Sequence, residues 1–431
     1  MHESRLRHFH RAFATLLIFT LAAGDFWRYL IGWWGWGALV LALLVTSLVL
    51  VVRARFARSW LPPTLVAFLV LAALSIAWSA YPAASALGVA ATVATTVAGA
   101  FLALGMAWRD FVDSLASALR WVLGLSLAFE LFVSTVIRAP VLPFWVDYSE
   151  LATIPRAFYW SRDLLFEGGR IQGIVGNANL LGMIALLSLA VSLVVGATTR
   201  HRLAWNAIWA AVAVITLALT RSSTVLASAI GVVLLLALVL LVRRVRGRAR
   251  VMVQAGGALA LLGFGAAVLA AHEPILALLS KSTDLTNRGD IWGAVLGLIE
   301  QRPVAGWGWI SYWAPWVAPF DDLAVVRGVT YLQAHNAWLD VTLQLGVIGL
   351  VIFAAFVAGT FLRVWLTAID PSSAPTRALL PLALLVALLV QSLAESRLLV
   401  ELGWALLVAL SLYSAGASQA PRSPLRAEPR T

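Results

Sequence analysis

The chain has 431 residues, of which 61% are hydrophobic and 12% charged, with a mean hydropathy of +0.91. That is too apolar for a soluble protein of this length and identifies an integral membrane protein. Its net charge of +11 invites a nucleic-acid reading, but basic runs such as Arg243 to Arg250 lie between apolar stretches where they orient a membrane protein, and the lack of cysteine excludes disulfides and thiolate chemistry.

Apolar runs of roughly 17 to 25 residues can cross a hydrocarbon core of about 30 Å as helices that satisfy their own backbone groups. Twelve such spans are predicted, at 9 to 23, 35 to 52, 62 to 79, 84 to 107, 114 to 137, 178 to 197, 203 to 219, 222 to 242, 250 to 271, 337 to 362, 378 to 394 and 401 to 416. The fold class is therefore an all-α polytopic membrane protein. The first run follows Arg5, Arg7 and Arg11 as a secretory signal would, yet Gly24 to Arg28 offer no small-residue cleavage site, so it is read as a retained helix. A cytoplasmic N-terminus puts Arg53, Arg55, Arg58, Arg200, Arg202, the Arg243 to Arg250 run, Arg363 and Arg377 inside, as the positive-inside rule demands. Both termini are then cytoplasmic. Residues 1 to 416 form one transmembrane domain, and 417 to 431 are expected to be a disordered cytoplasmic tail.

Two outer segments, 138 to 177 and 272 to 336, exceed ordinary interhelical loops and are the natural carriers of function. Within the second, apolar residues from Asn287 to Glu300 recur at helical spacing and predict an amphipathic helix on or near the outer surface. The aromatic cluster from Trp307 to Phe320 suits a membrane interface.

Arg221, in Leu219-Thr220-Arg221-Ser222, sits where the seventh and eighth spans meet; its guanidinium is suited to clamping phosphate, or to snorkelling at the headgroups. Arg288 opens the amphipathic helix, with Asp284 and Asp290 as alternative ion-pair partners. Arg170 is a third outer arginine, with Glu167 and Asp163 nearby in sequence. His335 directly precedes the tenth span and can accept a proton from a sugar hydroxyl at ordinary pH. The alternative is that His335 or Asn336 merely caps that helix. Asp340 falls one turn further on. Asp321 and Asp322 are a weak divalent-cation signal without a third ligand. Glu130, Gln391 and Glu395 are costly in lipid and should face the interior, the last two from one helical face, either lining an acceptor cleft or stabilising packing.

Four ordered stretches carry a resemblance: Gly169 to Asn179; Leu219-Thr220-Arg221-Ser222; Asn287 to Trp292 with Pro303 to Gly308; and Ala334-His335-Asn336. They resemble the motifs of the O-antigen ligase superfamily, over about residues 170 to 345. Ala178 stands where proline is common, and Ser222 where glycine commonly follows the arginine. The resemblance implies a C-type glycosyltransferase (GT-C) fold in a bacterial inner membrane, with catalysis at the periplasmic face and no metal or cofactor. It implies an undecaprenyl-pyrophosphate-linked O-antigen donor bound by Arg221 and Arg288, and His335 activating a hydroxyl of a lipid A core acceptor. Arg170, Asn179 and Asn336 are the further substrate-binding candidates. Superfamily members include ligases, polymerases and protein O-oligosaccharyltransferases; the ligase is favoured because no long outer region follows the last predicted span. A lipid-linked sugar flippase is the non-enzymatic rival, and would place polar groups through the bundle midplane.

Overall fold

The computed structural model describes residues 2–54, 61–149, 153–270, 286–326 and 329–419. The expected loop portion 272–285, with Asp284, and the tail from 420 lie outside the described residues. In chain order the helices are α1 (His2–Ala22), α2 (Gly24–Arg53), α3 (Pro63–Leu74), α4 (Pro82–Leu104), α5 (Trp108–Phe132), α6 (Ala178–Thr198), α7 (Leu203–Thr220), α8 (Ser223–Arg244), α9 (Gly247–Ala270), α10 (Thr286–Gln301), α11 (Ala337–Ala368), α12 (Pro375–Ser392) and α13 (Glu401–Gln419). A two-residue antiparallel pair joins Val325–Val326 to Val329–Thr330.

Among the described residues eight helices are long and apolar enough to cross a membrane: α2, α4, α5, α6, α7, α8, α11 and α12. The protein is an all-helical, multi-pass membrane protein. Helices α1, α3, α9 and α13 stand at the other four expected positions, with α3 and α13 shorter apolar segments. Helix starts follow local chemistry. Pro63, Pro82 and Pro375 open α3, α4 and α12, where the missing N–H costs nothing. The side chains of Asn177, Ser222 and Asn336 cap α6, α8 and α11.

Burial ranks these helices. In α6 and α12, 61% and 67% of the apolar window is buried within the protein, against 11% in α2. The first two form the centre of the bundle, and the functional residues lie at one end of that pair.

Helix α11 is broken at Gly346 (φ +64°). The break frees backbone groups that lipid could not satisfy, and the 303–308 segment supplies their partners. Val347 N–H donates to Pro303 O (2.8 Å) and Ile348 N–H to Val304 O (3.3 Å), while Trp307 and Gly308 N–H donate to Leu343 O (3.1 Å) and Gln344 O (2.9 Å). A Cβ at Gly346 would stand 2.1 Å from Val304 O, and one at Gly306 2.4 Å from the Gln344 carbonyl carbon. The Pro303 to Gly308 motif is thus a structural plug. Gly346→Ala is expected to cost more than about 2 kcal/mol, through overlap and an unfavourable positive φ. A thermal unfolding midpoint in detergent equal to wild type would contradict this.

Two expectations about the 286–336 region are corrected. The apolar face of α10 does not rest on lipid: Ile291 and Val295 are buried in one cluster with Trp313, Phe320 and Leu343. Trp309, Trp313 and Phe320 are fully buried and form core, while Trp316 remains exposed. Aromatic composition is the same for an interface belt and a packed cap, and burial separates them.

Candidate active site

The site has three sides, which close around a single carboxylate. The 138–177 connection is tied to the bundle by Glu130 of α5, which is buried. Its Oε1 accepts from the N–H groups of Gln172 (2.9 Å) and Gly173 (2.7 Å), and its Oε2 from Ser161 Oγ (2.8 Å). Gly173 has φ +58° and a Cβ there would lie 2.5 Å from Ser126, so a glycine is required. This anchor fixes the approach to α6, where Asn177 accepts from Asn179 N–H (2.9 Å) and Leu180 N–H (3.0 Å).

The α7–α8 turn forms the second side. Thr220 O accepts from Arg170 Nε (3.2 Å), and Ser222 Oγ donates to Asn179 Oδ1 (2.9 Å). Arg170 also donates to Asn179 Oδ1 at 2.6 Å. Arg221 itself is exposed in left-handed backbone (φ +46°), a conformation few non-glycine residues adopt. Its guanidinium lies near Gly168, where an added Cβ would be 3.4 Å away. Arg221 does not line the cavity, whereas Arg162 and Arg170 do.

The third side comes from Arg288 at the start of α10 and His335 before α11, and it closes on Glu395. Glu395 Oε1 accepts from Asn179 Nδ2 (2.8 Å) and from Arg288 (3.1 Å); Oε2 is 2.9 Å from His335 Nδ1. The sequence placed Glu395 with Gln391 on one helical face. Instead α12 ends at Ser392 and Glu395 lies beyond it in extended backbone (φ −154°). Among the described residues the ion-pair partner of Arg288 is this carboxylate, not Asp290. A cavity of about 260 Å³ opens over the group, lined by Arg162, Arg170, Asn179, Arg288, Tyr331 and His335 among others.

Burial pushes the Glu395 carboxyl up, but the charge and hydrogen bond of His335, then the Arg288 guanidinium and the Asn179 amide, outweigh it and hold it at about 2. An ionised carboxylate can only accept, so His335 Nδ1 carries the proton in their hydrogen bond. When the imidazole is in its neutral form, its lone pair is on Nε2. Glu395 thus fixes the tautomer that a base needs.

The spacing of this pair is itself held. His335 has φ +50°, and its neighbours are pinned: Ala334 N–H donates to Asp340 Oδ2 (3.1 Å) and Asn336 N–H to Ser396 Oγ (3.2 Å). Ser396 Oγ in turn donates to Asp340 Oδ2. Asn336 caps α11 by accepting from Trp338 and Leu339 N–H, and its Nδ2 donates to Leu393 O (3.3 Å). It secures the backbone beside His335 and is not on the cavity wall. Asp321 and Asp322 are exposed and not on it either.

A depressed carboxyl value has a defined pH signature. From an ordinary 4.5 down to about 2, the stabilisation tied to ionised Glu395 is complete above pH 4.5 and is lost as pH falls through about 2. The difference in thermal midpoint between wild type and Glu395→Gln should shrink as pH falls below 4.5. Growth of that difference below pH 4.5 would contradict the assignment.

Residues 187–354 match the family model described as O-antigen ligase. Over that segment the chain is similar to the O-antigen ligase domain. The matched segment contains Arg221, Arg288 and His335, while Arg170, Asn179 and Glu395 flank it and are brought to those residues by α6 and α12. No curated protein matches the chain.

Proposed function

We propose that the protein is a lipopolysaccharide O-antigen ligase, a glycosyltransferase that moves O-antigen polysaccharide from undecaprenyl pyrophosphate to a sugar hydroxyl of lipid A core. The observation that carries this reading is His335 hydrogen-bonded through Nδ1 to an ionised Glu395, with Arg288 on the same carboxylate and further arginines on the cavity wall. In this reading the cavity faces the periplasm of a bacterial inner membrane, both termini are cytoplasmic, and twelve spans form a C-type glycosyltransferase fold.

The chemistry is one displacement. His335 Nε2 takes the proton of the acceptor hydroxyl as its oxygen attacks the anomeric carbon. The bond from that carbon to the pyrophosphate breaks, its electron pair stays on the phosphate, and the anomeric configuration inverts. Guanidinium groups stabilise the negative charge that grows on the leaving group, without a metal ion. Arg288 engages Glu395 through one nitrogen, which leaves other N–H groups of its fork for phosphate. Arg221 approaches the donor from the exposed α7–α8 turn. Arg170 and Asn179 border the donor sugar, and Asn336 steadies His335.

The polymerase reading shares this donor chemistry and differs in the acceptor. Deleting the gene and analysing surface polysaccharide separates them. We expect a complete core lacking any O-chain; core bearing one repeat unit would identify a polymerase instead.

A further inference from the structure

A second cavity, of about 310 Å³, lies at the other end of the central helices. Helix α6 has 21 residues, which span about 30 Å at about 1.5 Å per residue, so the two cavities sit at opposite faces of the membrane. This cavity lies between the start of α5, the end of α6, the α6–α7 turn and the start of α12.

Its arginines arrive from separate elements: Arg109 from the first turn of α5, Arg202 from the residue before α7, and Arg377 from the first turn of α12. Asp113, the acid on its wall, is already shared between Arg202 (2.9 Å) and Arg11 (3.2 Å). Asp110 takes Arg7 at 2.8 Å. Among the described residues no acid pairs with Arg109 or Arg377. Trp108 Nε1 donates to Thr376 O (3.1 Å), which locks α5 to α12 and sets the spacing of those two arginines. The cap positions of both helices are held by Ala107 and Ala374, which offer no side-chain acceptor, so two positive helix ends border the same space.

A topology signal requires arginines on this face, but it does not require them to converge on one cavity. We propose that this cavity binds the phosphate of an anionic phospholipid from the adjoining leaflet. The anion matches two guanidinium groups that lack a protein acid, and Val112 and Val195 on the same wall suit the start of the acyl region. A soluble phosphate would use the arginines and leave this apolar wall idle. The site depends on the bundle spanning the membrane and is independent of the transfer chemistry assigned to the other cavity.

The test is native mass spectrometry of the full chain in detergent, titrated separately with phosphatidylglycerol, phosphatidylcholine and inorganic phosphate. Phosphatidylglycerol should bind roughly tenfold tighter than phosphatidylcholine, and Arg109→Gln with Arg377→Gln should remove most of that preference by eliminating two charged hydrogen-bond donors. Arg109→Lys with Arg377→Lys keeps both charges, guards against a folding defect and should retain part of the preference. Arg246→Gln with Arg248→Gln removes two exposed charges outside the cavity and should change nothing. Equal losses in the two glutamine pairs would reduce the effect to general surface charge and overturn the site. Binding of inorganic phosphate with no preference between the lipids would overturn the lipid assignment.

Discussion

His335→Ala is expected to lower the rate of glycan transfer by about 10²- to 10⁴-fold while leaving donor binding near wild type, because a general base acts in the chemical step. The side chain is held by its Nδ1 contact with Glu395 and by the pinned backbone on either side, so its loss removes the proposed proton acceptor and leaves Arg162, Arg170 and Arg288 on the cavity wall. Asn336 and Asp340 continue to hold the start of α11, which makes a folded variant the expected outcome. The measurement is initial rate with matched amounts of folded protein, alongside donor binding. Normal turnover in a folded His335→Ala protein would remove the base from the mechanism.

Arg288→Lys is expected to cost about 10²-fold in rate although the charge is kept, since loss of one preorganised donor to a developing anion has an effect of this order. Arginine can hold Glu395 with one nitrogen and present others to phosphate, whereas a lysine ammonium is a point charge that must divide its contacts. Arg221→Lys should also fall strongly. Lysine and arginine meet the same backbone strain at φ +46°, so a loss there reports the guanidinium and not the turn. If both lysine variants transfer at near wild-type rates, the clamp is refuted and the arginines are interfacial or structural.

Most of the helical framework was legible as apolar runs, since a segment that spans lipid must be both long and apolar and is interrupted by the chain's own punctuation. Asn336 is a candidate cap in the sequence and caps α11 in the structure. The convergence of Arg170, Asn179, Arg288 and His335 on one cavity followed from ordered motifs on one predicted face. Glu395 was hidden for a specific reason. The apolar run through 378 to 394 gives no hint that α12 stops at Ser392, so its carboxylate was read as one more interior polar group on a helix. Serines at 392 and 396 flanking a lone acid were the available sign. The burial of Trp313 and Phe320 depends on contacts with α10 and α11, and that of Trp309 on Phe68 of α3 and Thr92 of α4, none of which a local pattern encodes.

The central claim is tested most directly by incubating purified protein with an undecaprenyl-pyrophosphate-linked glycan and lipid A core, then following both products. The account predicts one new glycan–core bond for each undecaprenyl pyrophosphate released, at a rate lowered about 10²- to 10⁴-fold in His335→Ala. Absence of transfer by folded wild-type protein, or transfer at a near wild-type rate in folded His335→Ala, would contradict it.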